Sequence, residues 1–256
     1  MNAPVLMKKL SELGDVFTIE EAQRHLHIDP KLLEYYLRTL TKMGFLRRIT
    51  KGIYALSLEP GRASSPHEFV LGQLLVPSGA VAYWSALNYY GMTEQIPRTV
   101  FIQTPVKKDY RKLLIVDGKR FKVIVVSPEK FFGISTIRLG RRKVRITDPE
   151  KTIVDCLDKP KYCGGIIEVL KALKNARLDY EKLLEYAERM KSKAVLKRLG
   201  FLSGRLGLGI EKEIRLSEGD RKSFALLDPS MPPEGRFNYR WGLRINVPDD
   251  YWEEVE

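Results

Sequence analysis

The sequence predicts an α+β protein: an N-terminal winged helix-turn-helix followed by a larger mixed α/β domain with a mostly antiparallel sheet. In the first sixty residues, three helical patterns precede a basic hairpin, which is the element order of a winged helix. Beyond them, strand and helix patterns mix without the regular alternation that is typical of parallel sheets. An apolar fraction of 44% supports a packed core.

Local capping signals define the three N-terminal helices. The first amphipathic helix ends before Gly14. Thr18 and Glu21 have the spacing of a capping box and open the second helix. Asp29 followed by Pro30 is a typical start for the third helix, because aspartate caps well and proline lacks only an N–H that would have no partner.

The third helix carries the predicted DNA contacts. Its apolar side chains repeat on one face, and polar side chains follow the opposite face at Lys31, Tyr35, Arg38 and Lys42. The hairpin that follows adds Arg47, Arg48 and Lys51 around its turn. In winged helices the third helix enters the major groove and the wing contacts phosphates, so we expect these seven residues to contact double-stranded DNA. A winged helix used only for protein contacts is the alternative.

Most of the positive charge lies outside this unit. The chain has 44 Lys and Arg against 32 Asp and Glu, for a net charge of +12, which favours polyanionic partners. Residues 1–60 hold 9 Lys or Arg and 7 Asp or Glu, which leaves 35 and 25 in the remainder. The predicted winged helix therefore has almost no net positive charge, and its predicted DNA contacts depend on where its basic residues lie, not on their number.

Composition divides the chain into a winged helix at 1–58, a linker at 59–65 and a larger domain at 66–256. Ser65, Pro66 and Glu68 are predicted to open the first helix of the larger domain. Further helices are predicted at 83–90, from an Asp148 cap onward, and at 166–175, 180–190 and 192–204. Strands are predicted at 99–103, 122–126, 135–139, 143–146, 223–227 and 240–247.

The sequence does not indicate an enzyme, a cofactor or a metal site. No glycine-rich phosphate loop is present, and no histidine follows His67, which removes most histidine-assisted nucleophiles. A metal-dependent nuclease using Asp148 and Asp155 is an alternative. We interpret Asp148 as a helix cap and Asp155 as a solvent-facing helix residue.

The two cysteines, Cys156 and Cys163, are too few for a disulfide scaffold. We expect both to be reduced thiols in a cytoplasmic protein, with a structural metal site as the alternative. The N-terminus lacks a secretory apolar segment, and no apolar run approaches the length of a membrane span, so neither a signal peptide nor a membrane-spanning segment is expected.

Three basic clusters and one aromatic segment lie in the larger domain. We expect the clusters to be solvated surface, with contact to DNA or to an acidic protein as the alternative; they are Lys107/Lys108/Arg111/Lys112, Arg141/Arg142/Lys143/Arg145 and Lys191/Lys193/Lys197/Arg198. The aromatic segment at residues 83–90 is expected to be core, with base stacking as the alternative.

Several segments together resemble the AbiEi family of antitoxins from type IV, abortive-infection toxin–antitoxin systems. They are the N-terminal winged-helix pattern, GAVAYWSALNYYG at 79–91, EKTIVDCLDKP at 150–160 with the glycines at 164–165, and KRLGFL at 197–202. The resemblance covers most of the chain and rests on the order and spacing of these segments.

The resemblance implies a protein with two tasks. The family's winged helix binds inverted repeats in its own promoter and represses it, and the larger domain counteracts a nucleotidyltransferase-like toxin. The alternative is a stand-alone winged-helix transcriptional regulator whose larger domain dimerises or senses a ligand.

Overall fold

The N-terminal elements follow the order helix, strand, two helices and three strands. The computed structural model describes residues 3–60, 62–63, 65–108 and 114–253. The N-terminal unit consists of α1 (Ala3–Ser11), β1 (Val16–Thr18), α2 (Ile19–Leu26), α3 (Pro30–Lys42), β2 (Leu46–Thr50), β3 (Ile53–Glu59) and β4 (Arg62–Ala63). Strand β3 pairs antiparallel with β1, β2 and β4. Strand β1 was not predicted.

The predicted helix caps of this unit are confirmed. The Thr18 hydroxyl accepts from the Glu21 N–H at 3.1 Å, and the Glu21 carboxylate accepts from the Thr18 N–H at 2.8 Å. Asp29 caps α3 by accepting from the N–H of Lys31 at 2.8 Å, and Pro30 occupies the first helical position. These contacts join residues two or three positions apart, so the local sequence specifies them.

The segment predicted as a linker at 59–65 contains strand structure. Strand β3 continues to Glu59, and β4 turns back to pair with it, with Ser57 opposite Ala63 and Glu59 opposite Arg62. Composition indicated a linker because the segment is rich in Gly, Pro and Ser, but the backbone still finds partners on β3.

The first helix of the larger unit begins later than predicted. It starts at Glu68, and the ring Nδ1 of His67 caps it by accepting from the Phe69 N–H at 3.1 Å. The Ser65 hydroxyl instead accepts a hydrogen bond from the Lys119 ammonium at 2.8 Å. The prediction of a Ser65 cap is therefore wrong, because the helix begins three residues after Ser65 and His67 occupies the cap position.

The larger unit combines a mixed sheet with helices. Its helices are α4 (Glu68–Leu75), α5 (Tyr83–Tyr89), α6 (Pro149–Asp158), α7 (Ile166–Asn175), α8 (Tyr180–Arg189), α9 (Lys193–Leu206), α10 (Glu218–Lys222) and α11 (Asp250–Glu253). Its main strands are β5 (Ala80–Val81), β6 (Thr99–Thr104), β7 (Leu114–Val116), β8 (Lys119–Val125), β9 (Ile134–Leu139) and β10 (Arg142–Thr147). The order is β7-β8-β6-β5-β10-β9, in which β8-β6 and β5-β10 are the parallel pairs.

A second, smaller sheet lies near the C-terminus. It contains β11 (Ala225–Leu226), β12 (Arg236–Asn238) and β13 (Leu243–Ile245), in the order β11-β13-β12. The strand predicted over 240–247 is thus shorter, and β12 was not predicted. With helices and with antiparallel and mixed sheets, the molecule has the α+β class that the sequence predicts. No helix in the described ranges is long and apolar enough to cross a membrane.

Apolar contacts join the N-terminal unit to the larger one. The N-terminal unit has its own cluster, which includes Leu10, Leu37 and Leu40. Val16 and Ile53, however, pack into the cluster that α4 forms with the main sheet. The two units therefore share one hydrophobic cluster and are in direct contact.

The central helix of the larger unit is α6, where every residue from 150 to 157 is buried. Cys156 and Cys163 are both fully buried, and their Sγ atoms are bonded as a disulfide with a Cα–Cα distance of 5.8 Å. The expectation of two reduced thiols is wrong in this structure. The turn after α6 brings the two cysteines together, and a separation of seven residues alone does not predict such a turn.

Candidate nucleic-acid interface

One face of α3 is exposed along its whole length. The opposite face is anchored in the N-terminal core by Leu33, Leu37 and Leu40, each about 1% exposed. The three leucines repeat at helical spacing and therefore share one side of α3. By burying that side, they determine which side of the helix is exposed. The Asp29 cap satisfies backbone donors at the helix start, so the start of α3 is held in place.

The structure brings the four predicted helix residues together on this face. Lys31, Tyr35, Arg38 and Lys42 are all exposed, and Tyr35 keeps 62% of its surface in solvent. Arg38 forms an ion pair with Glu34 at 3.2 Å, with both side chains about two-thirds exposed. Such an exposed pair contributes little stability, so a phosphate or a base edge can replace the carboxylate at small cost.

The hairpin separates its three predicted basic residues into two groups. Arg48 and Lys51 are exposed, and Lys51 lies beside Gly52, whose φ of +79° allows the tight turn. Arg47 points the other way, and its two terminal guanidinium nitrogens donate to the two carboxylate oxygens of Asp117, in the turn between β7 and β8. Its hydrogen bond lowers the pKa of Asp117. Arg47 thus has a structural role: it is half-buried and paired with Asp117, whereas Arg48 is exposed.

Two arginines of a predicted basic cluster connect the units. Arg142 donates to both carboxylate oxygens of Glu21 at 2.8 Å, and Arg141 donates to the Ser11 carbonyl at 2.8 Å. Both were expected to lie on solvated surface. Together with the Arg47–Asp117 pair, they hold the N-terminal unit on the larger unit with charge-assisted hydrogen bonds.

The Glu21–Arg142 contact predicts a pH-dependent loss of stability. Burial raises the pKa of Glu21, but hydrogen bonds from Arg142 and from the Thr18 N–H outweigh it, so the pKa lies below the ordinary 4.5. The contribution of the Glu21 carboxylate to the free energy of unfolding is therefore complete above pH 4.5. It is lost as the pH falls through the lower pKa of the folded state. We expect Glu21→Gln to reduce the free energy of unfolding most near neutral pH, with the difference shrinking below 4.5, measured by urea unfolding.

Glu34→Gln is the matched control, because its ion pair with Arg38 is exposed and contributes little. A loss in Glu21→Gln that stays the same at every pH would contradict the role given to the carboxylate charge.

The third basic cluster is partly buried. Lys197 and Arg198 on α9 are 2% and 4% exposed, so the expectation of solvated surface is wrong for both. The Lys197 ammonium donates to the Ser223 carbonyl, and the Arg198 guanidinium donates to the carbonyls of Leu157 and Leu226. Burial lowers the pKa of each. The acceptors for both side chains are backbone carbonyls at strand and helix ends. A sequence pattern of charged residues does not reveal such partners.

The two carboxylates considered for a nuclease have different environments. Asp148 caps α6 by accepting from the Lys151 N–H at 2.9 Å, as predicted. Asp155 is 1% exposed, so its assignment as a solvent-facing residue is wrong. Its oxygens accept from the Lys151 ammonium and from the Gln103 amide, the latter at 3.1 Å. The described part of the chain contains no group of three or more potential metal ligands.

Besides the α3 face and the hairpin turn, the structure has an exposed aromatic surface near the C-terminus that was not predicted. Phe224 lies just before β11, Phe237 lies in β12 and Tyr239 lies just after it; their side chains are exposed, and the rings contact one another. The signal was present in the sequence, because RFNYRWGLR at 236–244 alternates aromatic residues with arginines and contains no acid. The strand predicted at 240–247 covers only part of this segment, and the strand pattern does not show that the rings before it are exposed.

Comparison with known proteins yields a structural relative. No family model matches the chain, and no curated protein matches it either. The fold is similar to the crystal structure of the RV2827C protein from Mycobacterium tuberculosis, with a TM-score of 0.63 and 16% sequence identity. The similarity covers 94% of this chain and 92% of that one. It extends over both units, and at this identity it shows that the two chains share a fold.

Proposed function

We propose that the protein is a DNA-binding transcriptional autorepressor that acts as the AbiEi-like antitoxin of a type IV toxin–antitoxin system. The observation that carries the DNA-binding part is the exposed row Lys31, Tyr35, Arg38 and Lys42 on a helix whose other face is fully buried. The element order α1-β1-α2-α3-β2-β3 supports a winged helix. The antitoxin part rests on the sequence resemblance.

In this proposal α3 enters the major groove of double-stranded DNA. Arg38 would exchange Glu34 for a base edge or a phosphate, and Arg48 and Lys51 of the hairpin turn would contact flanking phosphates. An inverted repeat in the protein's own promoter presents the same half-site twice, so two copies of the chain would bind it. Occupation of that promoter would repress transcription.

The helix row predicts a strong effect on DNA affinity. We expect Lys31→Ala combined with Arg38→Ala to weaken binding to the promoter repeat by about 1–3 kcal/mol for each side chain that contacts a base edge. The slope of log K against log salt concentration should also become less steep, by about 0.9 for each phosphate that the variant no longer neutralises. Fluorescence anisotropy with a promoter duplex at several salt concentrations measures both.

The matched control is Lys8→Ala combined with Lys9→Ala, which removes the same charge from the exposed end of α1. If both double variants lose the same affinity, binding depends on net charge and the assignment of α3 is wrong. Unchanged DNA binding in the α3 double variant would also show that the assignment of α3 as the DNA-contacting helix is wrong.

The antitoxin task is tested in cells that express a neighbouring nucleotidyltransferase-like toxin. We expect the full-length wild type to restore growth, and the α3 double variant to restore growth while losing promoter repression. The full chain is needed because Val16 and Ile53 pack into the cluster of the larger unit. Repression without any rescue would favour the alternative, a stand-alone transcriptional regulator.

A further inference from the structure

The small C-terminal sheet presents three aromatic rings to solvent. Phe224, Phe237 and Tyr239 are 38%, 48% and 73% exposed. Their ring centroids lie 4.8 Å apart for Phe224–Phe237 and 5.5 Å apart for Phe224–Tyr239. Exposed aromatic rings in mutual contact form a patch, and contiguous exposed apolar patches mark binding sites more often than single exposed residues do. We call these three rings, with Arg240 and Arg244, the aromatic–arginine patch.

The backbone beneath the patch is tightly held. Gly242 has a φ of +60°, and a Cβ there would lie 2.6 Å from the Arg221 carbonyl, so the turn after β12 approaches the end of α10 closely. The Asn238 side chain accepts from the Trp241 N–H at 3.0 Å, and the Trp241 ring packs on Gly200 of α9. The exposed rings therefore extend from an ordered turn, which reduces the entropy lost when a ligand binds.

The surroundings of the rings are positively charged. The Arg244 guanidinium carbon lies 5.2 Å from the Phe237 ring centroid, and that of Arg240 lies 5.4 Å from the Trp241 ring. Nearby carboxylates pair with other cations, in the exposed contacts Lys222–Glu218 and Arg236–Asp249 and in Lys193–Asp220. Within the described residues, Arg240 and Arg244 form no ion pair with a carboxylate. The segment between β11 and β12 contains two acids, the exposed Glu234 and the buried Asp228, whose carboxylate accepts from the Ile166 N–H.

We propose that the aromatic–arginine patch binds single-stranded nucleic acid. Unpaired bases would stack on the exposed faces of Phe237 and Tyr239, while Arg240 and Arg244 contact phosphates or stack on a base. A duplex does not fit this chemistry, because its bases are already stacked on each other. An acidic protein would need the arginines but would not explain three exposed rings. The site lies on elements separate from α3 and does not depend on the proposed promoter binding.

The test compares oligonucleotide binding to full-length variants. We expect a labelled oligouridylate to bind the wild type at low ionic strength, and Phe237→Ala combined with Tyr239→Ala to weaken binding by about tenfold or more for each base that loses a stacking partner. Duplex promoter binding should not change in this variant. Because the rings are exposed, the variant should keep the thermal midpoint and the circular dichroism spectrum of the wild type.

Two further variants make the test specific. Tyr89→Ala removes an exposed aromatic side chain from α5, where it contacts Phe69 and Tyr90, and should leave oligonucleotide binding unchanged. The exchange Phe237→Tyr with Tyr239→Phe keeps both rings and should keep binding. Ultraviolet cross-linking of an iodouridine oligonucleotide should label the patch.

Three results would overturn the proposal. They are no binding of the oligonucleotide by the wild type, equal binding by the alanine double variant, and displacement by polyglutamate as effective as displacement by unlabelled oligonucleotide. The last result would identify an acidic protein as the better partner, because polyglutamate offers charge without bases to stack.

Discussion

Replacing Lys151 with methionine is expected to destabilise the protein by about 3–5 kcal/mol, because the Asp155 carboxylate then stays buried without its cation. Lys151 is 0% exposed and Asp155 1% exposed, and the ammonium donates directly to the carboxylate. The ammonium also lies 4.7 Å from the centroid of the Phe132 ring. Methionine preserves much of the volume of lysine, so the loss measures the unpaired charge more than a cavity. Urea unfolding gives the free-energy difference.

The pH dependence of this variant separates charge from packing. Burial raises the pKa of Asp155, and Lys151 opposes that shift, so the pKa should rise further in Lys151→Met. A carboxyl with a raised folded-state pKa binds its proton more readily when folded, so the lost stability should return as the pH falls. Lys151→Met combined with Asp155→Leu should recover most of the loss near neutral pH. A loss that persists unchanged at low pH and in the double variant would contradict this account.

Local signals predicted the parts of the fold that depend on neighbouring residues. The caps at Thr18, Asp29 and Asp148 lie where expected, because each is formed by a side chain and a backbone N–H two or three positions away. The exposed row on α3 follows from the same argument, since a helix with one buried stripe exposes the opposite side. That part of the candidate site could be derived from sequence alone.

Features that depend on distant partners could not be derived in this way. Asp155 and Arg198 look like surface residues in a chain with 30% charged residues, yet both are buried because other helices and strands of the larger unit pack on α6 and α9. Arg47 looks equivalent to Arg48, but strand alternation turns it toward Asp117, seventy positions away. The aromatic–arginine patch was missed for a different reason: its pattern was visible, but exposure of the rings depends on how the turn at Gly242 meets α10.

Replacing Gly200 with alanine is expected to destabilise the protein by about 1–3 kcal/mol or more through overpacking, although alanine favours helices. A Cβ at this position would lie 2.2 Å from an atom of the Trp241 ring, closer than any real contact. The indole is 7% exposed and belongs to the hydrophobic cluster that α6, α7 and α9 form in the larger unit, so it has little room to move. Thermal and urea unfolding measure the change.

Gly204 on the same helix is the matched control. A Cβ there meets only the Glu211 side chain, at an ordinary 3.6 Å, so Gly204→Ala should stabilise the protein by up to about 1 kcal/mol. Trp241→Ala alone should cost about 3–5 kcal/mol. The combination of Gly200→Ala with Trp241→Ala should be less destabilising than the sum of the two, because the clash exists only when the ring is present.

The same substitution also connects the core of the larger unit with the proposed patch. Trp241 lies two residues after Tyr239 and one before Gly242, so an indole displaced from α9 must move the turn that carries the exposed rings. We therefore expect Gly200→Ala to weaken oligouridylate binding, whereas promoter duplex binding, which depends on α3, should stay at the wild-type level. Gly204→Ala should change neither affinity. Equal loss of both affinities in Gly200→Ala would show that the substitution unfolds the molecule as a whole and does not act through the turn.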